Sequence, residues 1–264
     1  MTQALPRPAR LALKYGPEDP QMVELISPSH SLRRRGLIVL IHGGYWRSKF
    51  DRSSMQPLAV DLVARGWAVA NVEYRRVGNG GGWPTTLNDV RAALGCLLAD
   101  KAEKGWDGPV IAIGHSAGGH LALLSVDQLD AVVALAPVTD LVRIEREGLG
   151  EDAALEFMGA TAADCPTEYQ RASPISVLPS GCPVLVVHGQ DDERVPLAHS
   201  QDFTAAAQAV GDEISLDTPA GLGHFDVIDP TAAHWPAVVK WLENLCPSSL
   251  DKDGVSDTTE GTRM

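Results

Sequence analysis

The stretch PVIAIGHSAG, residues 109–118, decides the fold expected for this chain. Its first half, Pro109 to Ile113, is apolar on both faces, as in a central strand of a sheet. The pentapeptide Gly114-His115-Ser116-Ala117-Gly118 follows directly, and a short helix is expected over 118–125. A G-x-S-x-G at such a junction indicates a strained turn that raises the serine hydroxyl at the carboxyl end of the strand. The competing interpretation is a serine that only caps the helix.

A serine hydroxyl is a weak nucleophile until a positioned base takes its proton, so a histidine is expected later in the chain. His224 fits best, because it lies in the glycine-rich segment AGLGHFD, residues 220–226, between the last expected strand and the last expected helix. Such a loop can place the imidazole over the serine. The less suitable histidines are His30 near the N-terminus, His120 beyond the turn, His199 at the start of a helix and His234 in the last helix.

A carboxylate must hold the imidazole in the correct tautomer and stabilise the imidazolium. The apolar strand expected over 183–187 runs into HGQDDERVP, residues 188–196, whose acidic side chains leave the sheet at the same carboxyl edge. Asp191, Asp192 and Glu193 are adjacent there, and spacing alone does not choose among them.

Backbone donors for a tetrahedral oxyanion are expected in HGGYW, residues 42–46, after the first central strand. Gly43 and Gly44 let backbone N–H groups approach a substrate oxygen without obstruction by a Cβ atom. A further donor would be the N–H of Ala117, the residue after the nucleophile. The alternative is that the two glycines only form a turn.

No residue pattern predicts a metal or a cofactor. Histidines 42, 115, 120 and 188 lack a helical metal-ligand spacing, and the glycine-rich loop at 78–82 lacks the GK[ST] ending of a phosphate-binding loop. We therefore expect a site without metal or cofactor.

Strands and helices alternate along the chain, which predicts an α/β domain with a mostly parallel central sheet and helices on both faces. Strands are expected at 11–15, 22–27, 36–41, 67–74, 109–113, 131–136, 183–187 and 214–218, and helices at 55–65, 84–104, 118–125, 197–210 and 230–245. The alternation stops at about 140–180, which we interpret as a small inserted cap. Residues 1–246 then form the domain, and the polar residues 247–264 a disordered C-terminal tail.

Composition excludes several classes of protein. The 264 residues carry a formal charge of −12, which disfavours nucleic acid as a partner. No apolar run approaches the ~20 residues of a membrane span, and the N-terminus lacks the apolar segment of a secretory signal. The four cysteines are scattered. We expect a cytoplasmic protein that acts on a small molecule and has no membrane partner. The sequence does not fix the oligomeric state, and a homodimer is compatible with it.

Residues 20–246 resemble the α/β-hydrolases. The segments H-G-G-Y-W, G-H-S-A-G-G-H, H-G-x-x-D-x-x-V-P and G-H-F-D are similar to those of kynurenine formamidases (arylformamidases) and related small carboxylesterases. The resemblance implies that Ser116 is the nucleophile, Asp192 the acid and His224 the base. It further implies oxyanion donors at Gly44, Tyr45 and Ala117, with Gly43 shaping the loop.

The resemblance leaves the substrate open. Hormone-sensitive-lipase-type esterases have a third glycine where this chain has Tyr45. Prolyl-oligopeptidase-type peptidases share the G-x-S-x-G turn and the H-G-x-x-D-x-x-V-P motif, but they carry a large additional domain, for which 264 residues leave no room. We expect a serine hydrolase of a short-acyl ester, aryl amide or formamide, with Trp46 and His115 in the substrate pocket and Tyr45 beside Trp46 as an aromatic wall. The alternatives are a small peptidase and a hydrolase-fold binding protein without activity.

Overall fold

The described part of the chain folds around one eight-stranded sheet. The structure, a computed structural model, describes residues 8–28, 35–99, 106 and 108–246. Across the sheet the order is β1-β2-β4-β3-β5-β6-β7-β8, with β2 antiparallel to both neighbours and every pair from β4 to β8 parallel. The strands are β1 (Ala9–Lys14), β2 (Met22–Ser27), β3 (Leu37–Ile41), β4 (Ala68–Glu73), β5 (Val110–His115), β6 (Ala131–Leu135), β7 (Val184–Val187) and β8 (Ile214–Asp217). The predicted α/β-hydrolase-type sheet is confirmed.

Helices cover both faces of this sheet. In the part described they are α1 (Gln56–Ala64), α2 (Thr85–Ala99), α3 (Ala117–Leu123), α4 (Leu141–Arg146), α5 (Ala153–Met158), α6 (Pro166–Arg171), α7 (Leu197–Ala209) and α8 (Trp235–Asn244). Apolar side chains of α1 and α8 pack on one face, and those of α2, α3 and α7 pack on the other. The sheet is therefore the middle of three layers.

The apolar runs of the central strands follow from this burial on two sides. Along β3, Leu37, Val39 and Ile41 belong to one apolar cluster, whereas Ile38 and Leu40 belong to the other. Successive side chains of a strand point to opposite faces, so a strand covered on both sides needs an apolar residue at every position.

The last helix begins at Trp235, later than the 230 predicted from the sequence. The Asp229 carboxylate accepts hydrogen bonds from both the backbone N–H and the hydroxyl of Thr231, which favours a turn over a helix there. Pro236 then occupies the first turn of α8, where a missing N–H costs nothing. The predicted end of the α2 helix near 104 and the tail at 247–264 lie outside the described residues.

Three short helices, α4, α5 and α6, lie between β6 and β7, in the segment interpreted as an inserted cap. Their large apolar side chains Ile144, Phe157 and Tyr169 belong to the same buried cluster as the α2 and α3 face of the sheet. The Arg47 guanidinium also ties this segment to the loop after β3, through Glu156 at 2.6 Å and the backbone oxygen of Glu151 at 2.6 Å.

The chain changes direction across the sheet between β3 and β5. From β3 it moves to one side to form β4, and then returns to form β5 on the other side of β3. Loops that leave the carboxyl ends of two such strands diverge and open a crevice between them, the usual ligand site of an open parallel sheet. Residues 42–46 and 114–118 lie at this point.

Candidate active site

Ser116 occupies a strained turn between β5 and α3. Its φ of 53° and ψ of −118° lie outside the regions favoured by side-chain-bearing residues. The strain is at the serine itself, and the flanking glycines meet a separate need for space. A Cβ atom on Gly118 would lie 2.0 Å from the carbonyl oxygen of Ile41, and one on Gly114 would lie 2.3 Å from that of Gly118. The glycines thus let α3 approach the sheet closely.

The structure brings together the serine, histidine and aspartate singled out in the sequence. Ser116 Oγ lies 3.0 Å from His224 Nε2, and His224 Nδ1 lies 2.6 Å from Asp192 Oδ2. The carboxylate selects the tautomer that carries the proton on Nδ1. Nε2 is then left to accept the serine proton.

Asp192 is held ionised by its hydrogen bonds. Burial alone would raise its pKa, but donors from His188 and His224 bring the pKa far below its usual range. The second carboxylate oxygen, Oδ1, accepts from the backbone N–H groups of Arg194 and Val195, at 2.8 and 2.9 Å. Of the three adjacent acids, only Asp192 meets the imidazole, because the side chains of Asp191 and Glu193 are exposed.

His188 is a supporting residue that the sequence analysis did not assign. Its Nε2 lies 3.2 Å from Asp192 Oδ2 and 2.9 Å from the carbonyl oxygen of Val195, and its Nδ1 lies 2.7 Å from Ser200 Oγ. A ring that donates from Nε2 and accepts from the Ser200 hydroxyl satisfies all three contacts. Its position at the end of β7, four residues before the aspartate, was the available signal.

His115 does not lie where the sequence analysis expected it. Predicted in the substrate pocket, it is buried at 2% exposure, and its Nε2 donates to the carbonyl oxygen of His224 at 2.9 Å. Burial lowers the pKa of His115 to about 3, so the ring stays neutral. Side chains alternate along β5, so the side chains of His115 and Ser116 point in different directions. The hydrogen bond from His115 holds the loop of residues 220–226 that carries His224, here called the histidine loop.

Trp46 is also displaced from the predicted pocket. It is 1% exposed, stacks on Phe157 with ring centres 4.5 Å apart, and donates from its indole N–H to His120 Nδ1 at 3.2 Å. Apolar residues of the 140–180 segment cover it, so it packs in the core. Tyr45 remains partly exposed and packs against Gly150, where a Cβ atom would lie 2.4 Å from the tyrosine ring.

The loop of residues 42–46, here called the oxyanion loop, lies directly against the serine. A Cβ atom on Gly43 would come within 3.0 Å of Ser116 Cβ, and one on Gly44 would lie 2.4 Å from Phe50 Cβ, so neither position accommodates a side chain. No hydrogen bond among the described residues uses the backbone N–H of Gly44, Tyr45 or Ala117. These donors are available to an oxygen bound beside Ser116.

Two clefts adjoin the site. One of about 480 Å³ is lined by Tyr45, Arg47, Lys49, Phe50, residues 148–151, Glu193 and Arg194. The other, of about 280 Å³, is lined by Asp191, Glu193, Arg194, Gly223, His224, Phe225 and Asp226. Phe225, half exposed, lies edge-on to the His224 ring at 5.3 Å, with Arg194 5.5 Å above it. The sequence analysis missed this aromatic residue, although it directly follows the histidine.

Two protein-family models match parts of this chain. Residues 86–245 match the model described as the prolyl oligopeptidase family, which is 160 of 264 residues, and residues 23–128 match the model described as BD-FAE. The chain belongs to the prolyl oligopeptidase family. The match runs from α2 to the end of the domain, so it includes the segments of Ser116, Asp192 and His224. The resemblance to α/β-hydrolases is therefore confirmed.

Named relatives of this family member are esterases and formamidases. Esterase LipQ of Mycobacterium tuberculosis is 32% identical over 68% of this chain, and the chain spans 47% of its length. Kynurenine formamidase of Danio rerio is 26% identical over 81% of this chain and 74% of its own. The esterase Est2 of Thermogutta terrifontis shares the fold, with a TM-score of 0.70 over 95% of each chain at 24% identity.

In the ranges given above, no cluster of three or more His, Cys, Asp or Glu side chains is arranged to hold a metal ion. None of the helices described there is long and apolar enough to cross a membrane.

Proposed function

We propose that this chain is a serine hydrolase that cleaves a short-acyl carboxylic ester, aryl amide or formamide through an acyl-enzyme. The observation that carries the proposal is the hydrogen-bonded line from Ser116 through His224 to Asp192, with separations of 3.0 and 2.6 Å. The names of the relatives, which are esterases and formamidases, support the same reaction class.

The first half of the reaction forms the acyl-enzyme. Ser116 Oγ attacks the substrate carbonyl carbon while its proton passes to His224 Nε2, and the ionised Asp192 stabilises the imidazolium. The negative charge moves to the carbonyl oxygen, which accepts from the N–H groups of Ala117 and of Gly44 or Tyr45. The intermediate then collapses, and the alcohol or amine leaves with the proton from His224.

Water completes the cycle by the same route. His224 Nε2 takes a proton from the water, which attacks the acyl carbonyl and forms the second tetrahedral intermediate. The bond from the acyl carbon to Ser116 Oγ then breaks, His224 returns the proton to Ser116 Oγ, and the acid leaves. His115 contributes without reacting, since its bond to the His224 carbonyl keeps the histidine loop in place.

The site favours small substrates with an aromatic or apolar leaving group. The 140–180 segment contacts the oxyanion loop where Gly150 lies against Tyr45, and Glu156 pairs with Arg47 directly after the loop. These contacts limit the space beside the serine. The exposed Phe225 and the partly exposed Tyr45 supply aromatic surface near the site, a role that the buried Trp46 does not fill. We propose an acyl group from formyl to about butyryl.

A small peptidase is the second candidate, because the matching family model is that of prolyl oligopeptidases. Both candidates use the same triad and differ in the leaving group. A binding protein without activity is the weakest alternative, because all three triad side chains are present and within hydrogen-bonding distance.

A substrate panel tests the proposal. It sets p-nitrophenyl esters from C2 to C12 beside aryl formamides, N-formylkynurenine and a prolyl p-nitroanilide, with kcat/KM compared for each. We expect C2 to C4 esters to react fastest, with the loss of all turnover in Ser116→Ala as the control. Faster cleavage of C12 esters would contradict the compact pocket, and faster cleavage of the anilide would favour the peptidase. If N-formylkynurenine is inert while short esters react, the formamidase assignment fails and the esterase remains.

A further inference from the structure

A buried charged cluster lies behind the oxyanion loop and takes no part in the steps above. Glu73, the last residue of β4, is 8% exposed, and Arg76 is 5% exposed. Two such charges are costly to bury unless they are paired and fully hydrogen-bonded. Arg76 Nη1 lies 2.8 Å from Glu73 Oε1, which pairs them.

The Glu73 carboxylate collects four donors. Oε1 lies 3.1 Å from His42 Nε2 and 2.8 Å from Arg76 Nη1, and it accepts from the backbone N–H of Tyr74 at 3.2 Å. Oε2 accepts from the backbone N–H of Arg52 at 3.1 Å. Burial raises the pKa of Glu73, but the His42 hydrogen bond and the other donors outweigh it, so the pKa is lowered and the group stays ionised.

These contacts reach the oxyanion loop through His42. The other ring nitrogen, Nδ1, lies 2.7 Å from the carbonyl oxygen of Gly43. The carboxylate and the carbonyl oxygen can only accept, so a ring that donates from both nitrogens satisfies both contacts. That oxygen and the N–H of Gly44 belong to one planar peptide group, so fixing the direction of the first fixes the direction of the second. The Glu73–His42 bond therefore sets where an oxyanion donor points.

Further contacts from the cluster hold the segment from 42 to 50. The Tyr74 hydroxyl donates to the carbonyl oxygen of His42 at 2.6 Å, and its ring stacks on the His42 ring with centres 4.3 Å apart. Arg76 Nη1 donates to the carbonyl oxygen of Phe50, beyond the loop. Both ends of the segment from 42 to 50 are thus anchored to the cluster.

We infer that Glu73 is a positioning residue for the reaction, which orients the Gly44 N–H toward the oxyanion by holding His42. This inference rests on the proposed function. Glu73 touches no reacting atom, so its loss acts on the transition state, where charge develops, rather than on substrate binding.

Glu73→Gln is the test variant. An NH₂ group at the Oε1 position takes the acceptor away from His42, Arg76 and the Tyr74 N–H. An NH₂ group at the Oε2 position faces the Arg52 N–H, and the lost charge weakens the hydrogen bonds from His42 and Arg76 that remain. Removing an oxyanion donor costs roughly 10²- to 10³-fold in kcat. Misdirecting one should cost about 10- to 100-fold in kcat, with KM changed less than about 3-fold.

Asp89→Asn is the matched control. Asp89 is a second buried carboxylate, 2% exposed, that accepts from Arg75 and from Gln21 Nε2 and has no hydrogen bond to the oxyanion loop. Both variants should lower Tm, but only Glu73→Gln should lower kcat when assayed well below Tm. Tyr74→Phe removes the 2.6 Å bond to the His42 carbonyl and the 3.5 Å contact of the same hydroxyl with His42 Nδ1. It should lower kcat by about 3- to 10-fold, and it provides the test if Glu73→Gln fails to fold.

Inhibition by a trifluoromethyl ketone tests the inference about Glu73 separately from the proposed serine hydrolase function. Ser116 Oγ adds to its carbonyl carbon, the proton passes to His224, and the oxygen becomes an oxyanion in the loop. Its affinity should fall in Glu73→Gln by about the same factor as kcat/KM for the best ester, and stay within 3-fold in Asp89→Asn. An active wild type with kcat and inhibitor affinity unchanged in Glu73→Gln and Tyr74→Phe would overturn this inference alone. An inactive wild type would overturn the proposed function, and the inference with it.

Discussion

Replacing Asp192 by Asn should abolish most activity because it changes the tautomer of His224. The shape of the side chain at position 192 changes little. Oδ1 accepts from two backbone N–H groups, those of Arg194 and Val195, so the amide oxygen must take that place. The NH₂ group then faces His224 Nδ1, 2.6 Å away. Nδ1 must become an acceptor, which moves the ring proton to Nε2 and leaves no base for Ser116.

The magnitude follows from the same geometry. The wrong tautomer in a serine triad costs roughly 10⁴ in kcat, which corresponds to about 5.4 kcal/mol of transition-state free energy at 1.36 kcal/mol per tenfold. His188 Nε2, 3.2 Å from Oδ2, also meets the new NH₂ group, so stability should fall as well. We expect at least a 10³-fold loss of kcat, with KM changed less than tenfold.

The assay is the hydrolysis of p-nitrophenyl acetate or butyrate by purified variants, with Tm measured in parallel. Asp191→Asn is the control, because it removes a neighbouring carboxylate whose side chain is exposed. It should retain more than half of the wild-type kcat. A loss of less than tenfold in Asp192→Asn, or equal losses in both variants, would refute the tautomer argument, and Asp226 would be the next acid to test.

Ser116→Ala should lower kcat by roughly 10⁴- to 10⁶-fold and leave Tm within a few degrees, since the hydroxyl reacts and does not pack; more than a tenth of wild-type activity would contradict its role. A serine-directed organophosphate should abolish turnover and EDTA should not, whereas recovery on adding metal after chelation would contradict the whole mechanism. The free energy of unfolding should fall from pH 7 toward pH 4, because unfolded histidine protonates near 6.5 while burial lowers the pKa of His120 to about 4. His120→Gln should flatten that slope by about 1.36 kcal/mol per pH unit, the effect of one proton, and an unchanged slope would show that His120 does not contribute.

Sequence patterns predicted the sheet because burial on both faces demands unbroken apolar runs. The segments around β3, β5, β6 and β7 met this demand, and the structure confirms each within two residues. Helix boundaries that depend on side-chain hydrogen bonds were predicted less well. The start of α8 moved to Trp235 because the Asp229 carboxylate bonds to Thr231, a preference that apolar periodicity does not register.

Candidate catalytic residues were predictable where chemistry demands one residue type in one place. Ser116 follows from its turn, and His224 from its loop after the last strand. The choice of Asp192 among three adjacent acids came only from the resemblance to known families. In the structure the reason is local, since its carboxylate turns inward onto Arg194 N, Val195 N and His188 while its neighbours point to solvent.

By itself, the sequence determined the order of strands and helices, the apolar faces and the serine turn, because these depend on neighbours along the chain. Tertiary structure alone decided which side chains face the crevice. Trp46 and His115 are close to the reactive groups in sequence, but Trp46 packs on Phe157 and His115 bonds to the carbonyl oxygen of His224. Phe225, next to His224 in the sequence, is exposed and lies against the His224 ring, whereas Glu73, on another strand, contacts the oxyanion loop through His42. The direction of a side chain depends on contacts between residues distant in sequence, so no local pattern records it.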